Sequence, residues 1–138
     1  MKTSRNRNAI PMLPGGIALL LILAILGPSA SIASGGDELV SLARNGKRVL
    51  IADFGLGWCS QCKAQSEILD KVKAAYPGKV LVRMVRVDRE KALTARYEVE
   101  TIPHLVFFDP EGNVVLRKTG VMRYEDISAQ LTRMGVTP

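Results

Sequence analysis

The apolar positions after residue 34 fall into short runs that alternate with longer stretches of helical spacing. A strand is expected where apolar residues run together or alternate, and a helix where they recur every three or four residues. The apolar runs predict strands at residues 49–54, 80–87, 105–108 and 114–118. The stretches of helical spacing predict helices at residues 37–45, 59–76, 90–97 and 124–134.

The connections between the predicted strands decide how the strands pair. Strands joined through a helix pair in parallel, whereas the turn Asp-Pro-Glu-Gly-Asn at residues 109–113 predicts an antiparallel hairpin. The first strand is almost continuously apolar, which is typical of a strand buried on both faces. We therefore expect one α/β domain, residues 34–138, with a central mixed sheet of about four to five strands flanked by helices.

Residues 1–33 have the composition of a targeting segment rather than of a folded domain. Three basic residues and no acid precede an uninterrupted apolar run at residues 17–26, and a Gly-Pro pair with small residues follows it. This order is typical of a secretory signal peptide cleaved before Ser34. The run is shorter than the roughly 20 residues that cross a bilayer, which favours cleavage. The alternative is an uncleaved N-terminal membrane anchor, for which the spanning segment would have to extend back to Ile10. Either way, we expect residues 34–138 to be exported, as a periplasmic or membrane-anchored domain on the extracytoplasmic side.

The formal net charge of +6 suggests a nucleic-acid partner until its location is considered. Three of the 19 basic residues lie within residues 1–33, so the remaining domain carries an excess of three positive charges. Its basic residues are dispersed among acidic and apolar ones, whereas a phosphate-binding surface needs clustering with interleaved aromatics. We therefore expect no nucleic-acid partner.

The two cysteines, Cys59 and Cys62, stand where the first strand gives way to the second helix. A spacing of three residues is about one helical turn, so the two sulfurs can form a disulfide. At the helix N-terminus, unpaired N–H groups and the helix dipole would stabilise a Cys59 thiolate, whereas Cys62 would be more buried. Dithiol exchange needs this asymmetry, because one thiolate attacks and the other thiol resolves the mixed disulfide.

Other uses of the cysteine pair must be weighed against exchange. A disulfide across four residues closes too small a loop to stabilise a fold much, and structural zinc needs four ligands. The alternative function is a soft-metal site or copper metallochaperone module, with Cu(I) held by Cys59 and Cys62 and assisted by His104. Otherwise we expect His104 to be a packed or surface residue and no metal to be bound.

Four separated features resemble the thioredoxin family, over about residues 45–134. They are the acid Asp53, the run Trp58-Cys59-Ser60-Gln61-Cys62-Lys63, the pair Ile102-Pro103 before an apolar strand, and Gly120 after the last strand. The resemblance implies a thioredoxin fold in which the Ile102-Pro103 bond is cis. It also implies that Trp58, Ile102, Pro103 and Gly120 bind the substrate.

The resemblance implies a thiol–disulfide oxidoreductase whose catalytic residues are Cys59, Cys62 and Asp53. Asp53 would relay a proton for Cys62, and burial in an apolar strand should raise its pKa. The only redox group would be the Cys59–Cys62 disulfide, with no added cofactor, and the substrates would be protein thiols and disulfides. The wider pattern is similar to exported bacterial thioredoxin-like proteins that work with membrane thiol-electron transporters of the DsbD type. A monomeric disulfide reductase re-reduced by such a transporter is the resulting expectation.

The chain departs from the usual thioredoxin pattern at several positions near the cysteines. The dipeptide between them is Ser60-Gln61 where Gly-Pro is typical, and Gly55 stands where a second Trp is common. Met84 stands where a Lys usually neighbours the buried acid. Strong oxidants of this type often have a His just before the second cysteine, and the neutral Gln61 stabilises a thiolate less. This difference favours a reductase.

Overall fold

The computed structural model describes residues 35–138, and these form four helices and four strands in the predicted order. Every boundary lies within two residues of its prediction. The elements are α1 (Gly35–Gly46), β1 (Val49–Gly55), α2 (Ser60–Ala75), β2 (Val80–Arg86), α3 (Lys91–Arg96), β3 (His104–Phe108), β4 (Val114–Thr119) and α4 (Tyr124–Arg133). The predicted signal peptide or anchor, residues 1–33, lies outside the described residues.

The sheet has the strand order β2-β1-β3-β4. The strand β1 pairs in parallel with β2 and antiparallel with β3, and β4 completes the sheet as the antiparallel partner of β3. The mixed sheet is thus confirmed with four strands, the lower end of the expected range. All seven residues of β1 are buried, as its apolar run predicts for an interior strand.

Helices cover both faces of the sheet and enclose two hydrophobic cores. Successive side chains of a strand point to opposite faces, so alternate residues of β1 enter different cores. The core under α2 and α4 contains Val49, Ile51, Leu69, Val72, Leu105, Phe107, Ile127 and Leu131. The core under α1 and α3 contains Leu39, Leu50, Ala52, Phe54, Leu93, Val106 and Phe108. By this alternation Asp53 and Gly55 belong to the face that α2 covers.

Two features anchor α2 against the rest of the domain. Its inner face buries Leu69 and Val72, which recur at helical spacing in the sequence. Beyond its last turn, the buried Tyr76 forms a hydrogen bond of 2.6 Å between its hydroxyl and that of Ser128 on α4. The helix is therefore held at both its middle and its C-terminal end. Within residues 35–138, no helix combines the length and the apolar character needed to span a bilayer.

Candidate active site

The cysteine pair lies at the N-terminal end of α2, next to the carboxyl end of β1. Cys59 is the N-cap residue of the helix, and Cys62 follows within its first turn. Their Cα atoms are 5.2 Å apart and their sulfurs form a disulfide. Cys59 is partly exposed, whereas Cys62 is only 1% exposed. The asymmetry expected from the sequence is therefore confirmed.

The surroundings of the Cys59 sulfur favour negative charge on it. The backbone N–H of Cys62 donates a hydrogen bond to Cys59 Sγ, with a donor–acceptor distance of 3.2 Å. The first N–H groups of a helix have no intrahelical partner, and the dipole places partial positive charge at this end. In the reduced protein these groups stabilise a Cys59 thiolate, and thiolates are the attacking species in exchange. Cys59 is thus the more accessible and the better stabilised of the two sulfurs.

The residues around the pair present an open and largely uncharged surface. Ser60 and Gln61, between the cysteines, are both exposed. Trp58, immediately before Cys59, is 80% exposed, which is unusual for a large apolar ring. Lys63 follows the second cysteine and is also exposed. An incoming protein can therefore reach the Cys59 sulfur beside an apolar platform.

Gly55 lies directly beneath Cys62, at the end of β1. A Cβ atom at Gly55 would lie 3.2 Å from Cys62 Cβ and 3.3 Å from its Sγ, tighter than ordinary carbon contacts. The missing side chain thus lets the first turn of α2 approach the strand closely. A glycine at this position, where a Trp is common, therefore leaves the space that the buried Cys62 side chain occupies.

Gly55→Ala is expected to destabilise the oxidised protein by about 1–3 kcal/mol, because Cys62 must shift to admit the new methyl group. The matched control is Gly57→Ala, whose added Cβ would meet only the Arg86 guanidinium, at 3.8 Å. Urea unfolding of both variants, oxidised and reduced, measures the difference. Equal stability of the two variants would contradict a close contact between Gly55 and Cys62.

Asp53 is fully buried on the face of β1 that α2 covers. Its neighbours in the sheet are Met84 on β2 and Leu105 on β3, and neither carries a charge. Among the described residues, neither carboxylate oxygen has a hydrogen-bond partner. Burial therefore raises the pKa of Asp53 from 3.8 to about 7. The predicted direction is confirmed, and the carboxyl titrates near neutral pH.

The buried acid and the buried thiol are placed on the same face at the same end of β1. Asp53 precedes Gly55 by two residues and so shares its face, and Cys62 covers Gly55. A carboxyl that titrates near pH 7 can exchange a proton with a thiol, whose usual pKa is about 8.5. This arrangement can supply a base to the thiol that solvent reaches least.

The segment before β3 lies at the same end of the sheet. The Ile102-Pro103 peptide bond is cis, as the resemblance implies. His104 pairs with Phe54, which places Pro103 one position further, beside the end of β1. Pro103 is buried and Ile102 is partly exposed. The cis-proline segment therefore adjoins the strand end that carries the dithiol.

Gly120 closes this end of the sheet after β4. Its backbone N–H donates to the Pro103 carbonyl at 2.8 Å, which connects the two segments directly. Gly120 has a φ of +82°, and a Cβ placed there would meet nothing within 4 Å. The residue therefore faces open space, as the wall of a groove would. The structure thus places the cysteine pair, the Ile102-Pro103 segment and Gly120 at the same end of the sheet.

His104 is the exception, because it does not face the cysteines. Its ring is edge-on to that of Phe54, with centroids 6.3 Å apart, on the face opposite to Gly55. Nδ1 lies 3.0 Å from the Thr119 hydroxyl, and burial, assisted by Arg117, lowers the pKa of the imidazole. The expectation that His104 is a packed residue is therefore confirmed, and this geometry gives no support to the alternative in which it assists a copper site. Residues 35–138 contain no group of three or more His, Cys, Asp or Glu arranged to hold a metal.

Gln65 is a residue near the site that the sequence analysis missed. It lies on α2 one turn after Cys62, and its side chain is fully buried. Its Oε1 accepts a hydrogen bond of 2.7 Å from the backbone N–H of Met122. The available signal was positional: Gln65 continues the apolar stripe three and four residues upstream of Ile68 and Leu69. A polar residue on such a stripe needs a buried partner.

Comparisons with known proteins agree with this geometry. The thioredoxin family model matches residues 37–133. The thioredoxin of Staphylococcus aureus is 32% identical over 85 residues, which cover 62% of this chain and 81% of that protein. A thiol:disulfide interchange protein, the TxlA homolog of Synechocystis, is 31% identical over 98 residues, covering 70% of this chain. The chain spans only about half of that relative's length, 54%.

Solved structures show the same fold. Chloroplastic thioredoxin z superposes with a TM-score of 0.63 at 23% identity, over 71% of this chain and 88% of that one. The matched family region includes both cysteines, the buried acid and the cis-proline. The four-stranded mixed sheet and the disulfide at the start of α2 fit the same assignment. The chain belongs to the thioredoxin family and is a thiol–disulfide oxidoreductase.

Proposed function

We propose that this protein is a disulfide reductase that acts outside the cytoplasm and is re-reduced by a membrane thiol-electron transporter of the DsbD type. The observation that carries the proposal is the asymmetric dithiol. An accessible Cys59 sulfur accepts an N–H at a helix start, and a buried Cys62 lies on the face that holds Asp53. The pKa of that acid, about 7, suits a base that works at neutral pH.

The reaction begins with attack of the Cys59 thiolate on a sulfur of the substrate disulfide. A Cys59–substrate bond forms, the substrate S–S bond breaks, and the other substrate sulfur leaves as a thiolate. Asp53 then takes the proton of Cys62, and the Cys62 thiolate attacks Cys59 Sγ. The Cys59–Cys62 disulfide forms and the second substrate thiolate is released. Two electrons have passed from the dithiol to the substrate.

The surface around Cys59 suits a peptide segment as substrate. Trp58 provides an exposed aromatic face, and the Ile102-Pro103 segment, bonded to Gly120, adjoins the strand end that carries the dithiol. Gly120 leaves room for a backbone to approach because it has no side chain. Protein disulfides are therefore the proposed substrates, and a membrane transporter would use the same surface when it reduces Cys59–Cys62.

The moderate stabilisation of the Cys59 thiolate supports the proposed direction of electron flow. Strong oxidants such as DsbA, at about −120 mV, owe their potential to an exceptionally stable reduced form. Here the neutral Ser60 and Gln61 separate the cysteines, and both are exposed to solvent. The helix start and one N–H bond are moderate contributions to thiolate stability. This environment supports a potential near the reducing end of the family range.

Equilibration of the purified domain with defined glutathione buffers tests the direction. We expect a reduction potential below about −220 mV, nearer to the roughly −270 mV of thioredoxins than to that of DsbA. The fraction of reduced protein is read by thiol alkylation and mass spectrometry. A potential above about −180 mV would identify an oxidant and exclude the reductase.

The proposed location rests on the basic start, apolar run and small residues of residues 1–33. A fusion of the full chain to alkaline phosphatase, which is active only after export, tests it. We expect phosphatase activity, and loss of that activity when Leu20 and Leu21 are replaced by Arg.

In bacteria producing the full chain, deletion of the membrane thiol-electron transporter should convert Cys59–Cys62 from mostly reduced to mostly oxidised. An unchanged redox state would exclude such a transporter as the electron source.

A further inference from the structure

A buried hydrogen bond joins the helix that carries Cys62 to the segment that follows Gly120. Gln65 Oε1 accepts from the Met122 backbone N–H at 2.7 Å, between residues 57 positions apart in the chain. Gln65 is fully buried, and Met122 is 7% exposed. Water therefore cannot readily replace either partner of this bond.

The bond belongs to a series of contacts that links α2 to the cis-proline segment. Met122 follows Gly120 by two residues, and the Gly120 N–H is in turn bonded to the Pro103 carbonyl at 2.8 Å. One end of residues 120–122 is therefore tied to the cis-proline segment and the other end to α2. The distance between the Cys59 end of α2 and Gly120 therefore depends on both hydrogen bonds, the one from Met122 to Gln65 and the one from Gly120 to Pro103.

Of the two polar atoms of the Gln65 side chain, the acceptor oxygen Oε1 is the one that forms a hydrogen bond among the described residues. Its position, one turn from Cys62 and one turn from Leu69, is an interior position of α2 that an apolar residue could fill. Within the described part of the chain its Nε2 is buried without a hydrogen-bond partner, which is unfavourable. Only the Oε1 contact to Met122 offsets that disadvantage.

We propose that Gln65 is a positioning residue, which sets the width of the substrate groove by tying residues 120–122 to the active-site helix. This inference rests on the proposed function, in that it concerns binding of protein disulfides. Gln65 is fully buried, so it does not offer a surface for the substrate to contact, and its hydrogen bond is made to Met122 rather than to a cysteine. Its loss should therefore weaken the binding of a peptide chain and leave the reactivity of the dithiol intact.

The test compares a protein disulfide, insulin, with a small one, 5,5′-dithiobis(2-nitrobenzoic acid), which needs no groove. In Gln65→Leu we expect KM for insulin to rise about fivefold, the effect of one lost hydrogen bond, with kcat unchanged within about twofold. The rate with the small disulfide should also stay within about twofold. The matched control is Gln130→Leu, the same change at a partly buried glutamine of α4, and it should leave both substrates unaffected.

Amide hydrogen exchange supplies a readout that does not depend on the variant folding. In the wild-type domain the Met122 amide should exchange at least about 100-fold more slowly than that of its exposed neighbour Val121. In Gln65→Leu this protection should fall while that of Phe107 in the core is unchanged. Equal exchange of Met122 and Val121 in the wild type would overturn the proposal.

Two kinetic outcomes would also overturn the proposal. An unchanged KM for insulin would mean that the hydrogen bond does not shape the groove. Equal losses with insulin and the small disulfide would mean that Gln65 acts on the dithiol itself. If the wild type reduces the small disulfide but no protein disulfide, the proposed reductase function is wrong. The role of Gln65 is then tested by the same comparison of KM, measured for the oxidation of reduced insulin chains.

Discussion

Cys59→Ser is expected to reduce disulfide exchange to the uncatalysed background, whereas Cys62→Ser should accumulate covalent complexes with substrates. Cys59 is partly exposed and accepts the Cys62 N–H, so its thiolate makes the first attack. Without the Cys62 thiol, the mixed disulfide formed by Cys59 has no internal group to resolve it. Non-reducing electrophoresis and mass spectrometry measure the trapped complexes.

The two variants serve as controls for each other, because each removes one sulfur from the same pair. The complexes trapped by Cys62→Ser should disappear on reduction and should be absent from the Cys59→Ser, Cys62→Ser double variant. Trapping by Cys59→Ser alone would reverse the assignment and make Cys62 the attacking thiol. That result would contradict the structure, because Cys62 is only 1% exposed and solvent reaches Cys59 more readily.

Asp53→Asn should stabilise the fold at pH 8 by up to about 4 kcal/mol. Burial raises the pKa of Asp53 from 3.8 to about 7, so the folded state holds this proton more tightly than the unfolded state. Each tenfold difference in proton affinity corresponds to about 1.4 kcal/mol. The contribution of Asp53 to the free energy of unfolding of the wild type therefore falls as the pH rises from about 4 to about 7. It changes little above that range.

Urea unfolding at pH 4 and at pH 8 measures the effect. The gain in Asp53→Asn should be present at pH 8 and small at pH 4, where the carboxyl is protonated in the folded state and about half protonated in the unfolded state. The matched control is Asp70→Asn, an exposed α2 carboxylate paired with Lys73 at 2.6 Å, which should change stability by about 0.5 kcal/mol or less. A gain of equal size at both pH values would show that Asp53 does not titrate as its burial requires.

The same Asp53→Asn substitution should slow turnover at pH 8 by about tenfold or more, because no carboxylate remains to take the Cys62 proton. The slow step should be resolution of the mixed disulfide, so rapid quenching should reveal more of the Cys59–substrate intermediate. The rate of the first attack by Cys59 should change less. Unchanged resolution would limit Asp53 to an effect on stability.

The order of elements and the location of the dithiol were determined by local features of the sequence. Apolar runs and helical periodicity placed every element, because they reflect how each segment must bury its own apolar side chains. The continuous apolar run of β1 also predicted its interior place in the sheet. The position of Cys59 at the start of α2 and the raised pKa of Asp53 followed from the same local context.

Contacts between distant segments were decided only by the tertiary structure. The register of β3 against β1 placed His104 next to Phe54 and so removed it from the cysteine face. The closeness of Gly55 to Cys62 and the bond from Gln65 to Met122 depend on how α2 packs on the sheet. Local patterns state which residues are buried. They do not state which buried groups meet, because that depends on strand register and helix packing across the whole domain.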